Sequence, residues 1–195
     1  MKKNLFTLSF IIAILILVSC AAKPADPSSG AAFKGTITMG DKAGSGSLSF
    51  KISADGASLE ELGISLVDAK CNGLTEGKLS WSQGGVLTAV TEGQFSTTLP
   101  AFGAGAGGGM LKSAGSMTSA TSGAGVSRSI SIQNYNLEGD AASWPPVDDP
   151  QKAGQFEGQF SKPNEASGKI TIYLAAIGSE YACNLGTFDW TATAP

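Results

Sequence analysis

The chain has 195 residues, a formal charge of −3 and no histidine, and this length suits one domain with a single hydrophobic core. Thirteen basic residues against sixteen acidic ones leave no surplus of positive charge for nucleic acid. The lack of histidine excludes Ser-His-Asp triads and His-ligated zinc, while 42% hydrophobic residues are enough to build a core.

The N-terminus has the layout of a secretory signal peptide. Two lysines precede an uncharged run from Leu5 to Val18, which is shorter than the roughly 17–25 apolar residues of a transmembrane helix. The run ends in Leu17-Val18-Ser19-Cys20, which resembles the lipobox of bacterial lipoproteins. In that family the peptide is cut before the cysteine, and the cysteine carries lipid. The resemblance therefore implies a signal peptide over 1–19 and acyl chains such as palmitate on Cys20.

A lipidated Cys20 implies attachment to a membrane, because two or more acyl chains hold a protein stably. Ala21 stands where enterobacterial lipoproteins of the inner membrane have Asp, so the resemblance implies an outer-membrane or cell-surface location. The stretch that follows is rich in Pro, Ser, Gly and Ala and has no large apolar residue. We predict that residues 20–32 are the lipidated cysteine and a flexible tether.

From residue 33 onward, apolar and polar residues alternate, as they do around Leu48, Phe50 and Ile52. This period of two is typical of antiparallel sheets with one face on a core. The pattern predicts an all-β domain over 33–195, an antiparallel β-sandwich of jelly-roll or Ig-like type with nine or ten short strands, and it also fits a barrel. The segment Ser58-Leu59-Glu60-Glu61 has a capping-box pattern and predicts at most one helical turn.

Two segments of the chain are alike. Phe33–Ile37 with Gly46–Phe50 matches Phe156–Phe160 with Gly168–Ile172, at an offset of 123 and then of 122 residues. Each pair predicts a hairpin, and a duplication is one interpretation. These F-x-G-x-[IF] strands, and the ending Gly186–Ala192, resemble uncharacterised β-sandwich domains of bacterial surface proteins. The resemblance implies an extracytoplasmic sandwich and no particular activity.

Cys71 and Cys183 are left when Cys20 carries lipid. An even number of cysteines outside the cytoplasm predicts a disulfide, and two buried free thiols are the alternative. A catalytic thiol is disfavoured because no histidine is available as its base.

Residues 100–129 consist almost wholly of Gly, Ala, Ser, Thr and Met. This composition predicts a Gly-rich loop between strands, with a hairpin near Leu111–Thr118 as an alternative. Gly103–Gly109 formally contains G-x-G-x-x-G. The strand and helix that flank a dinucleotide fingerprint are not predicted here, so we expect no nucleotide binding.

The stretch 138–150 holds Trp144 beside two prolines, with Asp140, Asp148 and Asp149 close in sequence. An indole held rigidly near carboxylates suits sugar binding. The same oxygens suit Ca²⁺, and a tryptophan that caps one end of the domain is a third interpretation. Trp81 and Trp190 alternate with polar residues and are predicted to lie in the core.

Paired carboxylates are the remaining catalytic device, and the candidates are Glu60-Glu61, Asp148-Asp149, Glu157 and Asp189. Adjacent acids in a strand point to opposite faces, so neither doublet is itself a pair. We therefore expect a lipid-anchored cell-envelope protein with a non-catalytic binding or structural role. We expect no cofactor, and Ca²⁺ is the one alternative. Its expected partners are the membrane and a glycan or an envelope protein. The alternatives are a carbohydrate-binding module centred on Trp144 and a carboxylate-based, glycoside-active enzyme.

Overall fold

The computed structural model describes residues 23–40, 44–68, 74–75, 78–99, 114–123, 126–137, 154–176 and 181–195. These ranges contain eleven strands and no α-helix, which confirms the prediction of an all-β fold. No helix within them is a candidate for crossing a bilayer. The strands are β1 (Ala32–Thr38), β2 (Ser45–Ile52), β3 (Ser58–Val67), β4 (Leu74–Thr75), β5 (Lys78–Ala89), β6 (Gln94–Leu99), β7 (Ala114–Gly123), β8 (Val126–Leu137), β9 (Gly154–Lys162), β10 (Glu165–Ala176) and β11 (Tyr181–Thr193).

All of these strands lie in one antiparallel sheet. Its order is β4-β8-β5-β3-β2-β1-β11-β10-β9-β6, and β7 pairs with β8. The eight strands from β5 to β6 in this order form a nearly closed sheet, because β6 returns to the second half of β5. Thr88 Oγ1 donates to Ser96 O at 2.9 Å, and Thr97 Oγ1 donates to Leu87 O at 3.4 Å.

The described strands therefore do not form the two packed sheets of the predicted sandwich, nor nine or ten strands. Period-two alternation shows that a sheet has one apolar face, but it does not show what covers that face. A strongly twisted sheet of many strands can cover its apolar face by curling upon itself. Here the curl brings Phe33 of β1 and Phe50 of β2 against rings of β6 and β9, and the core lies inside.

Aromatic rings fill the core between these strands. Phe33 and Phe50 stack with ring centroids 4.8 Å apart, and Phe156 lies 5.0 Å from Trp190. A Cβ atom on Gly158 would collide with Trp190 Cζ2 and lie 2.8 Å from Phe95 Cζ. The glycine of the F-x-G-x-F strand thus leaves room for the indole. Trp81 and Trp190 are 5% and 1% exposed, which confirms that both are core residues.

Both repeated segments form hairpins, β1 with β2 and β9 with β10. Going across the sheet, β9, β10, β11 and β1 are successive antiparallel neighbours. Three reversals of direction make β1 run opposite to β9. Rotation about the axis of the curled sheet keeps the direction of a strand, so such a rotation does not relate the first hairpin to the second.

Two local predictions differ from the structure. The segment predicted as a helical turn at Ser58–Glu61 is the start of β3, and it contains a bulge where Glu61 has a φ of 53°. Residues 114–123 and 126–129, predicted as part of a loop, belong to β7 and β8, which pair with each other. Small residues suit a strand as well as a loop when a neighbouring strand supplies their hydrogen bonds.

Residues 24–31, predicted as part of a flexible tether, lie against the sheet, and we call them the strap. Ala25 N donates to Phe160 O at 2.8 Å and Ser28 N to Pro163 O at 2.8 Å. Gly30 N donates to Ser53 O at 2.9 Å. These bonds lie at the end of the sheet with the β2–β3, β5–β6 and β9–β10 turns, which we call the strap end. The opposite end is the loop end.

Candidate functional site

Most of the residues predicted from sequence to form a site lie outside the described residues. They are Cys20, Cys71, Asp140, Trp144, Asp148 and Asp149. The sheet nevertheless constrains their chain neighbours. The stretch with Trp144 leaves β8 at Leu137 and rejoins β9 at Gly154, and both of these strand termini are at the loop end.

Cys183 lies in β11, where its backbone is in register with Leu174 of β10. This position is near the loop end, as is Val67, the last residue of β3. Cys71 follows Val67 by four residues in the sequence. Because Cys71 itself lies outside the described residues, the Cys71–Cys183 disulfide stays a prediction.

A row of polar side chains crosses the outer face of the sheet with one residue from each of eight strands. We call it the polar row. Every member is a hydroxyl or amide residue, each is exposed or half-buried, and each is in register with its neighbours. Its members, in order from β5 to β6, are Ser80, Ser65, Ser47, Thr36, Thr191, Ser167, Gln159 and Gln94.

Hydrogen bonds between side chains of neighbouring strands also occur on the outer face, four residues along β9, β10 and β11 from the polar row. Thr171 Oγ1 and Thr187 Oγ1 are 2.8 Å apart, and Gln155 Nε2 donates to Ser96 Oγ at 3.0 Å. Neighbouring strands are about 4.8 Å apart, so hydroxyl and amide groups recur at that spacing along the row. Because these groups both donate and accept, the row suits a ligand with many hydroxyl or amide groups.

The polar row runs into a shallow groove over β6, β9 and β10. Its volume is about 680 Å³. Backbone at two glycines forms part of its surface, and polar side chains surround them. The groove is lined by Ala89, Thr91, Glu92, Gln94, Phe95, Ser96, Glu157, Gly158, Gln159, Ser167, Gly168 and Lys169.

One cation and two carboxylates stand next to each other at this groove. Lys169 of β10 is in register with Glu157 of β9 and with Asp189 of β11. Lys169 Nζ donates to Asp189 Oδ1 at 2.8 Å, and this hydrogen bond and the charges of Asp189 and Glu157 raise the pKa of Lys169. The two candidate carboxylates are thus on either side of a lysine, on strands that are two apart.

A second, smaller depression lies on the same outer face, near β1, β2, β3 and β5. Its volume is about 350 Å³, and Lys34, Ser47, Ser49 and Ser65 line it. Gly63 also lines it and leaves space next to Ser49. These two depressions therefore lie on or beside the polar row.

The groove was not predicted from the sequence. Its residues alternate with core residues along β6, β9 and β10, as outward residues do on any half-buried strand. Only the pairing of the strands puts Gln94, Gln159 and Ser167 side by side.

In the described ranges, no three acidic or cysteine residues are placed to hold a metal ion. Comparison of this chain with protein-family models, with curated proteins and with solved structures finds no match.

Proposed function

We propose that this protein is a lipid-anchored component of the bacterial cell envelope with a non-catalytic binding role. The polar row and its groove bind a ligand that presents many hydroxyl or amide groups, and an envelope glycan is such a ligand. The observation that carries the proposal is the in-register run of uncharged hydrogen-bonding side chains that leads into a concave surface. The lipobox sequence supports the anchor at Cys20 and a location at the outer membrane or cell surface.

The predicted platform around Trp144 is a second candidate for the glycan site. The stretch that contains it joins β8 to β9 at the loop end, and β9 also forms part of the groove. The groove variant and Trp144→Ala, described below, distinguish the two candidate sites.

The binding test uses purified peptidoglycan and a panel of soluble glycans with four proteins. They are the native sequence, a groove variant (Gln159→Ala with Ser167→Ala), a row variant (Thr36→Ala with Thr191→Ala) and Trp144→Ala. The groove and row variants each change one in-register pair, but only the first pair lines the groove.

We expect the groove variant to lose about tenfold or more in affinity, since each hydrogen bond contributes about 0.5–1.5 kcal/mol. The row variant should lose less affinity than the groove variant, because Thr36 and Thr191 belong to the polar row but do not line the groove. Binding that only Trp144→Ala abolishes would assign the site to the Trp144 stretch instead. Hydrolysis of a glycan by the native protein would contradict a non-catalytic role.

The anchor is tested by cell fractionation with Cys20→Ser. We expect the native protein to sediment with membranes and the variant to be soluble, because the lipid provides the attachment. Retention of Cys20→Ser on membranes would contradict lipidation at this residue.

A further inference from the structure

In the sequence, the strap lies between the predicted lipid anchor at Cys20 and the first strand, β1. Besides the three hydrogen bonds that it donates, Ala31 O accepts one from Ile52 N at 2.9 Å. These four bonds reach β2, the β2–β3 turn, β9 and the β9–β10 turn. The strap therefore crosses the strap end from one side of the curled sheet to the other. Pro24 and Pro27 fix their own φ angles, and each disfavours the helical conformation in the residue before it.

A glycine of the β5–β6 turn receives the start of the strap. Gly93 has a φ of 71° and is buried. A Cβ atom there would collide with Ala25 O and lie 2.9 Å from Pro24 Cβ. The body of the domain is thus shaped for close contact with this segment.

Only three residues, 21–23, lie between this docked segment and the lipid-bearing Cys20. A chain of that length spans about 10 Å when fully extended. The flexible tether predicted over 20–32 would have had a reach on the order of 20 Å. Docking of the strap thus shortens the free chain and fixes where it leaves the domain.

The connections between strands show the same polarity. The strap end has the turns β2–β3, β5–β6 and β9–β10, with at most five residues in each. The described strands enter and leave the ranges 39–44, 68–73, 100–113, 138–153 and 177–180 at the loop end.

We infer that the strap orients the domain on the membrane, with the strap end against the lipid surface and the loop end directed away from it. The inference rests on the lipid anchor of the proposed function. The strands then stand up from the bilayer, and the polar row runs parallel to it. The ends of β8 and β9 that flank the stretch of sequence containing Trp144, Leu137 and Gly154, then face away from the bilayer.

The first test concerns docking of the strap in soluble Cys20→Ser protein, by hydrogen exchange measured with NMR. We expect the amides of Ala25, Ser28 and Gly30 to exchange several-fold more slowly than those of an unstructured chain. Gly93→Ala should remove this protection. Gly40→Ala is the matched control, because Gly40 has a φ of 56° and open space around it. If these amides exchange as fast as those of an unstructured chain while Gly93 is unchanged, the strap is not docked and the inference is wrong.

The second test concerns orientation and uses lipidated protein in phosphatidylcholine vesicles, with an impermeant lysine acylation reagent and mass spectrometry. Lys23 and Lys162 are exposed at the strap end, and Lys78 is exposed at the loop end. Relative to soluble Cys20→Ser protein mixed with the same vesicles, we expect Lys162 to react several-fold more slowly and Lys78 to react equally fast. Gly93→Ala should abolish the difference, and Gly40→Ala should keep it.

Vesicle flotation separates the possible failures. Protein that does not float with vesicles lacks the anchor, which contradicts the proposed function. Protein that floats and shows equal reaction of Lys162 and Lys78 contradicts the orientation alone.

Discussion

At the level of single residues, Gly158 makes space for the largest side chain of the core, and Gly168 makes space for the backbone of β9 at Glu157 and Gly158. Both are in register in the same row of the sheet as Trp190, on β9, β10 and β11. Trp190 Nε1 donates to Glu157 O at 3.2 Å, so the buried indole also has its polar atom satisfied. In β9 the glycine of the F-x-G-x motif is therefore explained by this ring, whereas a Cβ atom on Gly35 of β1 would meet Thr191 O and Ala192 Cβ of β11.

We predict that Gly158→Ala lowers the free energy of unfolding by about 1–3 kcal/mol, since it overpacks the ring atoms of Trp190 and Phe95. Urea denaturation followed by tryptophan fluorescence measures the change. Gly63→Ala is the control, because its new methyl group meets only a side-chain hydroxyl within 3 Å, Ser49 Oγ at 2.9 Å. A loss at position 63 equal to that at 158 would mean that strand glycines matter for another reason.

At the level of elements, β3 shows how a local signal is overridden by its neighbours. The capping-box pattern at Ser58–Glu61 favours a helical turn, yet β2 on one side and β5 on the other supply a strand's hydrogen bonds. Instead of a helical turn, this part of β3 has a bulge, where Glu61 adopts a left-handed conformation. The same residue pairs only loosely with Lys51, at 3.8 Å and largely in solvent.

We predict that Glu61→Gly raises the free energy of unfolding by about 0.5–1 kcal/mol. Relief of the left-handed conformation contributes about 1–2 kcal/mol, and the greater freedom of glycine in the unfolded chain removes about 0.5–1 kcal/mol of this. Glu61→Gln is the control, because it keeps the backbone strain and removes the charge, and exposed ion pairs contribute little. A midpoint of urea unfolding that is unchanged in Glu61→Gly would show that the bulge is not strained.

At the level of the whole molecule, the ends of the curled sheet differ in what they carry. The strap end is closed by short turns and by residues 24–31, while the longer connections gather at the loop end. Cys183 and Val67, the last residue of β3 and four residues before Cys71, belong to the loop end. A Cys71–Cys183 disulfide would join β11 to the stretch of sequence after β3. In the sheet, β1 and β2 lie between β3 and β11.

We predict that the mature protein contains a Cys71–Cys183 disulfide, and that reduction destabilises it by up to about 4–5 kcal/mol, since the bridge closes a long loop. Mass spectrometry of the protein digested without reduction should find the two cysteine peptides joined. Two free thiols that react with an alkylating reagent in the native secreted protein would contradict the bridge.

The alternation of residues such as Leu48, Phe50 and Trp190 was enough to predict an all-β fold and its core, because successive side chains in a strand must point to opposite faces. The lipobox resemblance likewise depends on adjacent residues, and it still supports only a proposal. Closure into a single sheet, the polar row, the groove at Gln159 and Ser167, and the docking of the strap at Gly93 were decided by the tertiary structure. Each joins residues far apart in the chain, and strand register and curl arise from the packing of the whole core rather than from any local pattern.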